Sequence, residues 1–468
     1  MKRVDFGGNL VIVGFGSIGQ GVLPLILRHF GLDGSRITIL SASAAGREEA
    51  LRFGASFRQE TLDRGNYRAI LEPLLKAGDF LLNLSVTVAS CALVALCREK
   101  GVLYLDTCIE PWAEGYTDPD LPPALRSNYA LREDILTLRD GRDAPTALVA
   151  HGANPGLVSH FIKQALLDIA RDVGHPTSPP INREGWAGLM QGLGVRVVHV
   201  AERDTQFSAS RVKAADEFVN TWSIEGFVGE GCQPAELGWG SHEKTLPPEG
   251  RRHDEGNNAA IYLMRPGAGT RVRSWTPLEG SFHGFLITHN ESISTADYYT
   301  VQDGEQVLFR PTVHYAYHPC DDAILSLHEL AGKNWTIQSS QRLMMDEIDG
   351  GIDELGVLLM GHAKGVYWYG SRLSVGEARS LCPCNNATSL QVAISVLAGM
   401  MWVAEHPRAG LVEPEDVDFA YILDIARPYL GPVVGVYADW TPLQGRARLF
   451  PEDLDETDPW QFRNFRVV

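Results

Sequence analysis

Residues Leu10–Gly21 read LVIVGFGSIGQG, and this stretch decides the fold. Leu10–Val13 is an apolar run of strand length, Gly14 opens a turn, and the apolar segment Gly21–Phe30 (GVLPLILRHF) continues as a helix. Between them Gly14, Gly16 and Gly19 match G-x-G-x-x-G, with Ser17 and Ile18 inside the same loop. The first glycine permits the tight strand-to-helix turn, the second lets backbone approach a pyrophosphate, and the third lets helix pack on strand. The helix N-terminus, with its unpaired N–H groups and dipole, then favours the negative charge of a dinucleotide. A purely structural turn is the alternative; a following strand at Arg36–Leu40 favours the βαβ unit.

One expected group is missing. The second strand, RITIL, is followed by Ser41, where an Asp or Glu normally binds the ribose 2′-hydroxyl of NAD. Ser41 can hydrogen-bond a ribose, and Arg47 can accept a 2′-phosphate, so the residues leave NAD and NADP both open. Asp33, in GLDGS, reads as a turn residue.

At 468 residues the chain is too long for one core. Its hydrophobic share of 44% and charged share of 21% are those of a globular protein. The net charge of −17, without a basic run, argues against nucleic acid as a partner. The opening residues do not read as a secretory signal, and no run of about 18 apolar residues indicates a membrane span. The seven cysteines are scattered apart from Cys382 and Cys384, so no metal site is expected and reduced thiols in a cytoplasmic protein are the plain reading.

Further along, Phe80–Val86 (FLLNLSV) reads as a central parallel strand, and VLYLDT ends at Thr107. Residues just past strand ends line the crevice of an open α/β sheet, which makes Asn83, Ser85, Thr107 and Glu110 candidate pocket residues. The alternative for Glu110 is a solvated loop carboxylate. The turn Gly152–Gly156 (GANPG) marks the exit from the nucleotide domain, where Asn154 and Pro155 meet cofactor or substrate, or Asn154 caps the next helix. From about 180 to 375 extended segments alternate with turns, as in a mostly antiparallel sheet. The apolar helix near Asn386–Pro407, capped by Asn386 or Thr388, packs back on the first domain in this reading. The expected fold is α/β: a Rossmann-type doubly wound parallel sheet (1–155, joined by 385–430), a second α+β domain (156–384) with a mostly antiparallel sheet, and a C-terminal segment (431–468).

The second domain is dense in polar residues on strands that should bury one face: Glu202, Glu230 and His289, with Asp322 after HYAYHPC. Buried carboxylates need a cation or donors. Internal pairing with Arg203, Arg271 or Arg273 is one reading; for the set together, a site for a cationic ligand is the better one. Trp222 is either core or a ring face for an ammonium or iminium, and His289 is the natural proton carrier or a structural histidine.

These strings together resemble the bacterial homospermidine synthases, relatives of the saccharopine dehydrogenase group. The likeness runs nearly end to end, through VIVGFGSIG, NLSV, EPW, SNYALRE, GANPG, VHVAERDTQ, FVNTWSIEGF, QPAELGWG, THNESIS, HYAYHPC, GIDELGVLL and YLGPVVGVYADWTPL. The resemblance implies an NAD-dependent, redox-neutral transfer of an aminobutyl group from putrescine, or from spermidine, to putrescine, with release of ammonia. It implies that Glu202 and Glu230 bind amine ends, that Trp222 engages cationic intermediates, that Glu110, Asn154, His289 and Asp322 line the same pocket, and that the protein is a homodimer. Ser41 and Thr87 depart from the family pattern, which has Asp at both places. Two other readings remain at this point: a saccharopine- or carboxynorspermidine-type dehydrogenase with net hydride transfer, whose pocket needs an arginine for the substrate carboxylate, and a catalytically inactive nucleotide sensor.

Overall fold

In the computed structural model, which describes residues 2–139, 141, 143–175 and 178–468, the glycine stretch joins a buried strand to a helix. β1 (Leu10–Val13) is buried throughout, and α1 (Ser17–His29) follows it directly. β2 (Ile37–Ser41), β3 (Ser56–Gln59), β4 (Phe80–Asn83), β5 (Leu103–Asp106) and β6 (Ala147–Leu148) complete a parallel sheet around β1, with the short helix α2 (Arg47–Arg52) before β3. β2 and β3 extend to one side of β1; β4, β5, β6 and finally Leu411–Val412 extend to the other. The order reverses at β1, so the crevice opens at the carboxyl ends of β1 and β4.

A second sheet of eleven strands centres on β7 (Val197–Asp204), every residue of which is buried. β7 pairs in parallel with Thr312–His318 and antiparallel with Ile352–Met360. The remaining pairings are antiparallel, out to Gly250–Arg252 at one edge and Val433–Ala438 at the other. The sheet is therefore mostly antiparallel but has a parallel pair at its centre.

Successive side chains on a strand face opposite ways. Val198 and Val200 of β7 enter a core shared with α1, the helix Leu157–Asp172 and the helix Ala387–Glu405. Val197 and Ala201 enter a separate core closed by Trp440, Phe462 and Phe465. By the same alternation Glu202 and Asp204 stand on the face toward the nucleotide crevice. Arg203 stands on the other, paired with Glu279 and Asp321.

The helix Ala387–Glu405 starts with reciprocal hydrogen bonds between Asn386 and Ser389, so Asn386 is the cap. Its length and apolarity alone would suit a membrane, but nearly all of it is buried, and it lies against α1 and β5. An apolar sequence without one polar face is what a helix enclosed by protein requires.

Candidate active site

The carboxyl ends of β1, β2, β4 and β5 meet the polar face of β7 around a cleft of about 360 Å³. The glycine turn forms one end. Gly14 has φ of +86°, and a Cβ there would lie 2.7 Å from the backbone of Leu84 and Ser85. Gly19 would drive a Cβ to 2.8 Å from the Phe15 ring. Gly16 differs: a Cβ would meet nothing within 4 Å and would project into the open cleft. Gly16 also precedes α1 with no side-chain cap, leaving the first helical N–H groups for a ligand. Ser17, Ile18 and Gly19 line the same end. The turn is thus shaped for a pyrophosphate.

Ser41, Ser85, Thr107, Asn154 and Pro155 also line the cleft. Asn83 does not. Its side chain is buried, with Nδ2 donating to the Val88 carbonyl and the Tyr104 hydroxyl at 3.4 Å each, and Oδ1 accepting from Ser85 Oγ at 2.7 Å. Asn83 positions Ser85 instead of facing a ligand. Asn154 is not a helix cap either: the helix begins after Gly156, and Asn154 Nδ2 donates to Glu202 Oε2 at 3.1 Å.

Glu110, Glu202, Trp222, Glu230 and His289 come together in the cleft from four separate stretches of chain, Trp222 and Glu230 sharing one. Glu202 accepts from the Tyr315 hydroxyl as well as from Asn154. Burial pushes its pKa up to about 7, against the hydrogen bond from Tyr315. Glu110 has one carboxylate oxygen buried with no partner, and burial, reinforced by the Glu230 charge, holds its pKa well above the carboxylate range. His289, just before the helix Asn290–Tyr298, places Nε2 3.0 Å from Glu230 and Nδ1 3.3 Å from Glu291. Burial favours the neutral ring, but the two carboxylates outweigh it and hold the His289 pKa well above its ordinary value. Trp222 donates from Nε1 to the Tyr317 hydroxyl at 3.0 Å, which fixes the ring at the edge of the cleft.

Asp322 lies elsewhere. After Pro319 the chain turns into the helix Asp321–Gly332, whose first turn directs Asp321 toward Arg203 and Asp322 toward Arg342, the latter at 3.8 Å. Asp322 is therefore a surface-side ion-pair partner, not part of the cleft lining. None of Arg203, Arg271 and Arg273 pairs with Glu202 or Glu230, since Arg203 faces away and Arg271 meets His328. Among the described residues no group of His, Cys, Asp or Glu is arranged to hold a metal.

Several contributors escape a reading by residue type alone. Tyr315 and Tyr317, stacked at 5.1 Å, share the face of Glu202, and the alternation of HYAYH is the signal that could have found them. Asp353, on the strand beside β7, is buried under Glu202 and held by Thr388; burial and the Glu202 and Asp204 charges push its pKa well up. Glu60 and Glu225 reach the cleft rim from β3's end and from the helix Ile224–Cys232.

The chain matches the model of the saccharopine dehydrogenase NADP binding domain over residues 10–148 and that of the saccharopine dehydrogenase C-terminal domain over 152–436. It is 55% identical to the homospermidine synthase of Blastochloris viridis, over 99% of this chain and 98% of that one. The homospermidine synthase of Mesorhizobium japonicum is 52% identical, over 99% and 97%. The chain belongs to the homospermidine synthases. A crystal structure of the homospermidine synthase from Legionella pneumophila in complex with NAD superimposes with a TM-score of 0.93 at 49% identity, covering 100% of this chain and 99% of that one. Ser41 and Thr87 each line the cleft.

Proposed function

We propose that this cleft binds NAD at the glycine turn and carries out redox-neutral aminobutyl transfer between two putrescine molecules, giving homospermidine and ammonia, with spermidine as an alternative donor. One observation carries the reading. Among the described residues lining the cleft are the glutamates Glu110, Glu202, Glu225 and Glu230 together with His289, and no lysine or arginine lines it. A diamine is cationic at both ends near neutral pH and needs anionic contacts; a substrate with an amino-acid carboxylate needs a cation here. The lining therefore favours the synthase over a saccharopine- or carboxynorspermidine-type dehydrogenase.

Bound NAD supplies the acceptor for hydride from the amine-bearing carbon and returns that hydride to the new imine. The protein's part is charge and position. Glu202, oriented by Asn154 and Tyr315, holds one amine end, while Glu230 and Glu110 face the other. His289, between Glu230 and Glu291, moves the proton that leaves the amine, because only a neutral amine has the lone pair that drives hydride loss. Ammonia then leaves as the second diamine adds to the imine carbon. The Trp222 face stabilises the cationic imine by its ring quadrupole. In this scheme residues 1–155 hold the cofactor, and 156–384 supply most of the amine site, to which the first domain adds Glu110 and Asn154. The family resemblance also supports a homodimer in the cytoplasm.

The test is incubation of the purified protein with putrescine and catalytic NAD, followed by mass spectrometry of the amines. Homospermidine and ammonia without net NADH are expected. Net NADH without homospermidine would move the protein to the dehydrogenases.

A further inference from the structure

The cleft wall next to Ser41 contains an acid that the chain order conceals. β2 and β3 run in parallel, with Ser41 opposite Gln59. The next residue, Glu60, donates its backbone N–H to the Ser41 carbonyl at 2.9 Å. Gln59 donates from Nε2 to the Ala42 carbonyl at 3.3 Å, so the ends of the two strands are tied together. Ser41, Ala42, Ser43, Glu60 and Thr61 form one continuous part of the cleft wall. In a doubly wound sheet this is where the adenosine ribose lies, beyond the end of β2. Glu60 makes no ion pair among the described residues, and its carboxylate is solvated at the rim. Arg47 lies with its guanidinium 6.0 Å from the Phe57 ring centre, and none of Arg47, Arg52 and Arg58 lines the cleft.

We propose that Glu60, delivered from the end of β3, is the residue that selects NAD over NADP, in place of the acid missing after β2. Its carboxylate accepts hydrogen bonds from the ribose hydroxyls and repels a 2′-phosphate, with no neighbouring arginine turned into the wall to offset that charge. Ser41, short and uncharged, leaves the space that the β3 carboxylate needs. The inference rests on a dinucleotide occupying the cleft and is independent of the amine chemistry.

Dissociation constants for NAD+ and NADP+, measured by calorimetry in the absence of amines, test it. The unaltered protein should bind NAD+ at least about tenfold more tightly than NADP+. Glu60→Gln should narrow that ratio by roughly tenfold, mainly through tighter NADP+ binding. Arg47→Ala and Arg58→Ala should leave the ratio as it is. A ratio unchanged in Glu60→Gln would overturn the assignment, as would equal losses for both cofactors, which would make Glu60 a loop-shaping residue only. Loss of NADP+ binding in either arginine variant would place a phosphate site there and also overturn it. Because no substrate is present, failure here leaves the transferase reading untouched, and failure of that reading leaves this result interpretable.

Discussion

His289 Nε2 lies 3.0 Å from the Glu230 carboxylate, inside a cleft where both side chains are almost fully buried. The pair joins the helix Ile224–Cys232 to the start of the helix Asn290–Tyr298 and sets a protonated imidazole beside the proposed amine site. That ring can take a proton from the substrate amine only after losing its own to solvent, and an arriving diammonium, by offsetting the two carboxylates, favours that loss.

Glu230→Gln removes one of the two anions that hold His289 protonated. The alkaline shift of the histidine should shrink, moving the corresponding limb of the kcat/KM profile toward lower pH. KM for putrescine should rise by roughly tenfold or more, since a charge-assisted contact worth about 1.5–3 kcal/mol is lost. A pH–rate series on the variant checks both; an unmoved limb removes the pair from the proton pathway.

Trp222→Ala should reduce kcat by roughly thirtyfold, the equivalent of a desolvated cation–π contact of about 2 kcal/mol, while leaving NAD affinity close to normal. Trp222→Phe, which keeps a ring but loses the bond to Tyr317, should retain an intermediate rate. Steady-state kinetics combined with cofactor titration distinguishes this from a general collapse of the site, which would weaken both.

Diamine affinity should increase between pH 6 and pH 8. Glu202 titrates near 7 in the folded protein because burial disfavours its charge, and Glu110 is shifted upward for the same reason. A raised pKa stabilises the fold below the unfolded value, and that contribution is lost as pH rises through about 7. Putrescine should offset the loss, so its effect on thermal stability should be larger at pH 8 than at pH 6. Calorimetry in buffers of different ionisation enthalpy should also detect protons released on binding below pH 7. Binding that weakens with rising pH over this range would contradict the assignment.

Gly14→Ala and Gly16→Ala should fail in different ways. At Gly14 the left-handed backbone and the contact with Leu84 and Ser85 make alanine costly, by more than about 1 kcal/mol of stability. At Gly16 the added methyl meets no protein atom, so the fold should keep its melting temperature while NAD binding weakens. Melting curves with and without NAD separate the two outcomes.

The nucleotide half is legible in the sequence because its signal is local: strand, three glycines and helix occupy one run, and Gly14 and Gly19 each answer to a close contact while Gly16 opens onto the cleft. The amine site is written in residues more than a hundred positions apart, and only the sheet register brings Tyr315 to Glu202 or Asp353 beneath it. Residue type alone suggested that Asp322, so near HYAYHPC, belonged with them; a helix starting at Asp321 carried it away. It also left Arg203 as a partner for Glu202, although neighbours on a strand face opposite sides. Asn154 shows the same limit, since a turn sequence signals capping but not the carboxylate that waits across the cleft.

The first sheet ends not at β6 but at Leu411–Val412, and α1 is covered by Ala387–Glu405. During synthesis the nucleotide half must therefore wait, with an open sheet edge and an uncovered apolar helix, until the entire amine half has left the ribosome. A fragment ending at residue 155 would keep the glycine turn yet expose both surfaces. Premature termination anywhere before residue 412 therefore leaves that sheet incomplete.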